Sequence, residues 1–203
     1  MDINKHPTVR EVSEAPAGHD AGVEVRLGHE YQAPVADVWT ALTDPDRLAR
    51  WLLPVSGDLR LSGAFQFEGN AGGTVLACEP GRLLRVTFGG DTSIVEVRLR
   101  ANGPDATEFT LTHTVPLSMA GSGAGALGAA PAWDLRVLGL GLFLRGEFVD
   151  DPAAWEHTPA LQRYARQSIE AWAAAIELSE LATATELAAA VNAAVTRFSP
   201  DEA

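Results

Sequence analysis

From Val55 to Val115 the apolar positions recur every second residue, in short runs broken by turn residues. This period is that of half-buried strands. The pattern predicts six strands, over 58–61, 64–68, 74–79, 83–88, 94–101 and 107–115. The breaks are Ser62-Gly63, the run Gly69 to Gly73, Pro80-Gly81, Gly89-Gly90-Asp91 and Asn102 to Asp105. Connections this short join antiparallel neighbours, because a parallel crossover needs a dozen residues or more. In the last two runs Val95, Val97, Leu99, Phe109, Leu111 and His113 share one face. Glu96, Arg98, Arg100, Glu108, Thr110 and Thr112 share the other. One face is therefore wet and the other covered.

Before this region the pattern differs. Val23, Val25, Leu27 and Tyr31 alternate as a strand, and Val35, Val38, Trp39 and Leu42 follow at helical spacing behind Pro34. Thr43-Asp44-Pro45 stops that helix and starts another, with Asp44 as cap and Pro45 at the first helical position, leading to Leu48, Trp51 and Leu52. Residues 1–22 are polar without sustained period and read as a flexible arm. Beyond the strands, 116–131 is a Gly- and Ala-rich insert, too long for a simple connection. Trp133, Val137, Leu140 and Leu144 then form one helical stripe. A linker over 146–157 holds Trp155. Thr158-Pro159 opens a helix with Leu161, Tyr164, Ile169, Trp172 and Ile176 on one side. Thr183 and Glu186 form a capping box that opens a last helix. The expected organisation is an arm over 1–22, a domain over 23–178 and an additional helix over 179–203. The architecture is α+β: a seven-stranded curved antiparallel sheet wrapped around a C-terminal helix, two short helices after strand 1, and extra C-terminal helices.

Several of these pieces carry a resemblance. Tyr31-Gln32-Ala33-Pro34 with Val38-Trp39, Thr43-Asp44-Pro45 with Leu48 and Trp51, and Leu61-Ser62-Gly63-Ala64-Phe65 are three of them. Val75 to Pro80 with Leu83 to Phe88, Thr107 to His113, and Trp133 with its leucines complete the set. In this order they resemble the START-like, or SRPBCC, superfamily with its helix-grip fold. Within it the chain is most similar to the group named for the activator of the ninety-kilodalton heat-shock-protein ATPase. The similarity spans about residues 23–145. The Gly-rich insert and the tail from about Gly146 depart from the family pattern.

The helix-grip fold implies a cavity between sheet and helix, and apolar cavities take apolar ligands oriented by a few polar groups. The wall candidates are Trp39, Trp51, Phe65, Phe67, Phe88, Phe109, Leu111, Trp133 and Leu140; taken singly, each reads first as a core residue, and the cavity expectation rests on the set. His113 is the one polar side chain expected among them. It is the weak candidate for a catalytic or ligand-orienting group; the alternative is a core histidine bonded to a backbone carbonyl. The resemblance supports a small hydrophobic-ligand-binding protein. The alternatives are a cyclase or dehydratase on a polyketide-like or aromatic substrate, and a co-chaperone-like or regulatory protein-interaction module.

Composition narrows these readings. A net charge of -12 argues against nucleic-acid and anionic-membrane binding. No apolar run reads as a membrane span: Val137 to Leu144 is the greasiest and is too short. The N-terminus lacks a secretory profile, and Cys78 is the single cysteine, so a reducing cytoplasm is the expected setting. Cys78 reads as a structural thiol. His6, His19, His29 and His157 are scattered and none has metal-ligand spacing, so neither a metal nor a cofactor is expected. Lys5 is the one lysine, a usage that with the Ala, Gly and Arg content fits a GC-rich bacterial genome. The expected partner is a small hydrophobic molecule. The amphipathic C-terminal helices could pair two copies or pack on the chain's own core.

Overall fold

A computed structural model describes residues 8–147 and 158–200. His6, Trp155 and His157 lie outside the described residues.

One sheet of eight strands organises the chain, with every neighbouring pair antiparallel. The strands are β1 Val9–Ala17, β2 Asp20–Tyr31, β3 Val55–Gly57, β4 Ala64–Phe67, β5 Gly72–Glu79, β6 Leu83–Thr87, β7 Ile94–Ala101 and β8 Thr107–Pro116. Their order across the sheet is β1-β2-β8-β7-β6-β5-β4-β3. The helices are α1 Val35–Thr43, α2 Pro45–Trp51, α3 Leu117–Ala120, α4 Ala130–Leu144, α5 Pro159–Ser179 and α6 Ala184–Phe198.

The sheet has eight strands, not seven, because the expected arm contains β1. Its register pairs Arg10 with Leu27 and Val12 with Val25, and Gly18 turns the chain at a left-handed φ of 68°. The strand escapes a periodicity reading because its inward positions hold Arg10, Val12 and Glu14, and only Val12 and Ala17 are buried. The run over 58–61 is a turn and not a strand; β3 precedes it and pairs Val55 with Phe67. Asp58-Leu59-Arg60-Leu61 alternates, yet both leucines are exposed, at 41% and 61%, so its period reports no buried face. Gly57, with φ 110° and a backbone oxygen 2.3 Å from where a Cβ would stand, ends the pairing.

The expected inner face is observed in register. His113 faces Val25 and Val95, Leu111 faces Leu27 and Val97, and Phe109 faces Leu99. On the outer face Arg100 and Glu108 are cross-strand partners joined at 2.5 Å. Such an exposed pair adds at most about 1 kcal/mol.

Helices α4 and α5 join the inner face in one core. Val137 and Leu140 come from α4, and Ile169, Trp172 and Ile176 come from α5. The α5 stripe is held at its start by Thr158, whose hydroxyl caps the Leu161 N–H. The expected capping box of Thr183 and Glu186 opens α6. The Gly-rich insert is ordered rather than a bare loop. It forms α3 and a tight 3-10 turn over Gly123–Gly128, with Ala124, Ala126 and Leu127 buried. Its glycines allow this approach: a Cβ on Gly123 would stand 2.6 Å from that of Leu181. Helix α4 begins three residues before Trp133, at Ala130. The stretch Gly123–Leu144 is apolar enough in composition to cross a membrane, but 56% of it is buried inside the protein. Its regular α-helix is 15 residues long, short of the roughly 20 that a bilayer requires.

Candidate functional site

His113 sits on β8 near the middle of the sheet, is 6% exposed and points to the inner face. Two segments, the connection between β6 and β7 and helix α4, bring partners to it. The turn between β6 and β7 supplies Ser93, whose Oγ lies 2.9 Å from Nε2. Helix α4 supplies Trp133, whose indole Nε1–H donates to Nδ1 at 3.1 Å. The residue after β6 supplies Phe88, whose ring lies 5.5 Å from that of Trp133 and 6.3 Å from the imidazole. The imidazole meets the indole edge-on at 5.7 Å.

These contacts set the chemistry of the ring. An indole N–H can only donate, so Nδ1 must be the acceptor and carries no proton. The proton of the neutral ring therefore sits on Nε2 and is donated to Ser93 Oγ. A second proton would have to sit on Nδ1, facing the Trp133 N–H. Burial pushes the His113 pKa from 6.5 down to about 4. Ser93 is consequently no activated nucleophile: a serine–histidine pair of that type needs a base at Nε2, with Nδ1–H oriented by an acceptor. The alternatives left by the sequence were a functional group and a core histidine bonded to a backbone carbonyl. Both nitrogens are in fact held by side chains.

The remaining expected wall residues separate into groups. Phe109, Leu111 and Leu140 are buried in the main core. Phe109 also packs edge-on to Tyr31 at 5.5 Å. Trp39 and Trp51 are half-buried against that core, and the Trp51 indole donates to the Ala41 carbonyl at 2.9 Å. Phe65 and Phe67 pair with each other at 5.6 Å on β4, outside the main cluster. A cleft of about 330 Å³ opens where α1, α2 and the end of α4 meet, lined by Ala33, Asp37, Arg47, Arg50, Phe143 and Leu144. None of the ten expected residues lines it. Cys78 is exposed on β5. Among the described residues no three His, Cys, Asp or Glu side chains gather as metal ligands.

A second polar cluster has no counterpart in the sequence reading. Asp134, next to Trp133 on α4, is 1% exposed. Its Oδ2 accepts from Arg10 Nε at 2.9 Å, from Trp172 Nε1 at 3.0 Å and from Ser168 Oγ. Burial raises the Asp134 pKa, while Arg10, Ser168 and Trp172 pull it back. Burial also raises the Tyr164 hydroxyl, and the Asp134 charge adds to that. The signal that could have found this cluster is one aspartate in an apolar helix, which must have a partner if it faces the core. Nothing local names Arg10, 124 residues away.

Residues 32–134 match the family described as activator of Hsp90 ATPase homolog 1-like protein. The chain belongs to this family. Membership places it in the START-like superfamily, as the fold also does. Ser93, His113 and Trp133 all lie inside the matched span, whereas Arg10, Ser168 and Trp172 lie outside it. The crystal structure of CalU16 from Micromonospora echinospora is 32% identical, with a TM-score of 0.70 over 83% of this chain and 98% of that one. Its solution structure is 30% identical, with a TM-score of 0.73 over 88% and 100%. DynU16, a protein in the dynemicin biosynthetic locus, is 26% identical with a TM-score of 0.51, over 60% of this chain and 47% of that one. No curated protein matches the chain.

Proposed function

We propose that this family member binds a small apolar molecule on the inner face of its sheet, against Phe88, His113 and Trp133. The observation that carries the reading is the pairing of two half-buried aromatic rings with a neutral, fully hydrogen-bonded histidine on that face. Aromatic faces supply contact area, and the Ser93 hydroxyl, which accepts from the imidazole and keeps its own proton, can donate to a ligand oxygen. Phe109, Leu111 and Leu140 form the apolar floor in this reading, with Trp39, Trp51, Phe65 and Phe67 further along the walls. Similarity to DynU16, a protein in the dynemicin biosynthetic locus, supports a small organic molecule as the partner.

Binding is favoured over cyclase or dehydratase chemistry. A general base works best with a pKa near the operating pH. His113, depressed to about 4 and with Nδ1 already accepting, offers little basicity at neutral pH.

The test is native mass spectrometry of the purified chain, then titration with 1-anilinonaphthalene-8-sulfonate followed at the tryptophan indole N–H signals by NMR. The expected result is a retained small-molecule mass or a saturable shift of the Trp133 signal, lost in Phe88→Ala, which keeps the reporting indole. No retained mass together with no indole shift would overturn the reading. A mass twice that of the chain would report a homodimer separately.

A further inference from the structure

The buried pair between β1 and α4 is only half made. Arg10 holds an inner-face register position opposite Leu27. Its Nε–H bonds to Asp134 Oδ2, and its Nη1 reaches the Thr8 carbonyl at 3.4 Å. A guanidinium facing a carboxylate side-on ordinarily makes two parallel bonds. Here Oδ2 takes three donors, while Asp134 Oδ1 and Arg10 Nη2 are buried with no hydrogen-bond partner among the described residues. One is an acceptor and the other a donor, on side chains already bonded to each other.

We infer that the Arg10–Asp134 pair is a binding site for one neutral hydroxylic oxygen, which accepts from Nη2–H and donates to Oδ1. The class follows from the charges. An anion would meet the carboxylate and a cation the guanidinium, whereas a hydroxyl satisfies both orphaned atoms with no net charge. Ser168 and Trp172 are fully buried beside the pair, so bulk solvent does not supply the missing partners. Tyr164 stands close enough for the charges of Asp134 and Arg10 to act on its hydroxyl. Two to four polar partners are what a buried water holds. The hydroxyl can come from a trapped water or from the alcohol group of a small organic molecule. Either one completes the tie of the edge strand to α4 and α5.

The experiment is a crystal structure of the full chain at a resolution that shows ordered solvent, together with water-to-protein cross-relaxation in solution. A single-oxygen peak within hydrogen-bond distance of both Nη2 and Oδ1, with a water cross-peak to the Arg10 Nε–H, identifies water. Density extending from that oxygen, with a matching mass in a denaturing extract, identifies an alcohol. A direct Nη2–Oδ1 bond without such a peak, or a bound ion, overturns the inference. So does a water cross-peak to the neighbouring Trp172 Nε1–H that survives unchanged in the doubly substituted Arg10→Met, Asp134→Leu chain, whose charge-free pair has no such site.

Discussion

Acidification isolates His113. The unfolded chain protonates this ring near 6.5, whereas the folded chain resists protonation down to about 4. The native value is depressed, so the stabilising contribution is present above 6.5 and is lost as the pH falls toward 4. The gap is about 2.5 pH units at about 1.4 kcal/mol each, or about 3.5 kcal/mol in full. Roughly 2 kcal/mol of this is lost by about pH 5, before most carboxylates titrate. The cause is specific: the imidazole is buried, and its second proton would have to face the Trp133 N–H. Urea denaturation at intervals from pH 8 to 5, with the His113 ring proton followed by NMR, measures both sides. His113→Asn keeps an acceptor toward Trp133 without a titratable ring. It should lower stability at pH 8 and flatten the pH dependence over this range. A His113 signal that titrates near 6.5, or an unchanged pH slope in His113→Asn, would refute the reasoning.

Three further outcomes follow from the geometry. Arg10→Ala strands a buried carboxylate and should cost about 3–5 kcal/mol, whereas Arg10→Met with Asp134→Leu should recover most of that in the same denaturation assay; equal losses would mean that the pair is not coupled. Removing residues 1–17 should lower the melting temperature by several degrees, because it strips β1 and leaves Asp134 without its guanidinium; an unchanged melting temperature would mean that β1 contributes nothing to the fold. Trp133→Phe removes the donor at Nδ1, so the His113 titration should move up toward its ordinary value while the ring packing is retained; an unmoved titration would assign the whole depression to burial.

The strands β4 to β8 and the helices α1, α2, α5 and α6 were legible because their signals are local. Alternation at Val95, Val97 and Leu99 marks a strand wherever it occurs, and Thr183 with Glu186 or Asp44 with Pro45 marks a helix start from adjacent residues alone. Neighbouring residues also placed His113 on the inner face, since it alternates with Phe109 and Leu111. What local pattern could not supply was any interaction whose second member is distant. The strand β1 carries one buried valine in its middle, so its pairing depends on β2 and on Asp134. The run over 58–61 alternates without a buried face, because period alone does not say which side is covered. The protonation state of His113 likewise rests on Ser93 and Trp133, each 20 residues away along the chain. The sequence by itself determined those elements whose signal is local, and their faces, because backbone geometry and side-chain period act between neighbours. Only the tertiary structure decided which polar groups are buried together, because desolvation and hydrogen bonding depend on what the fold brings into contact.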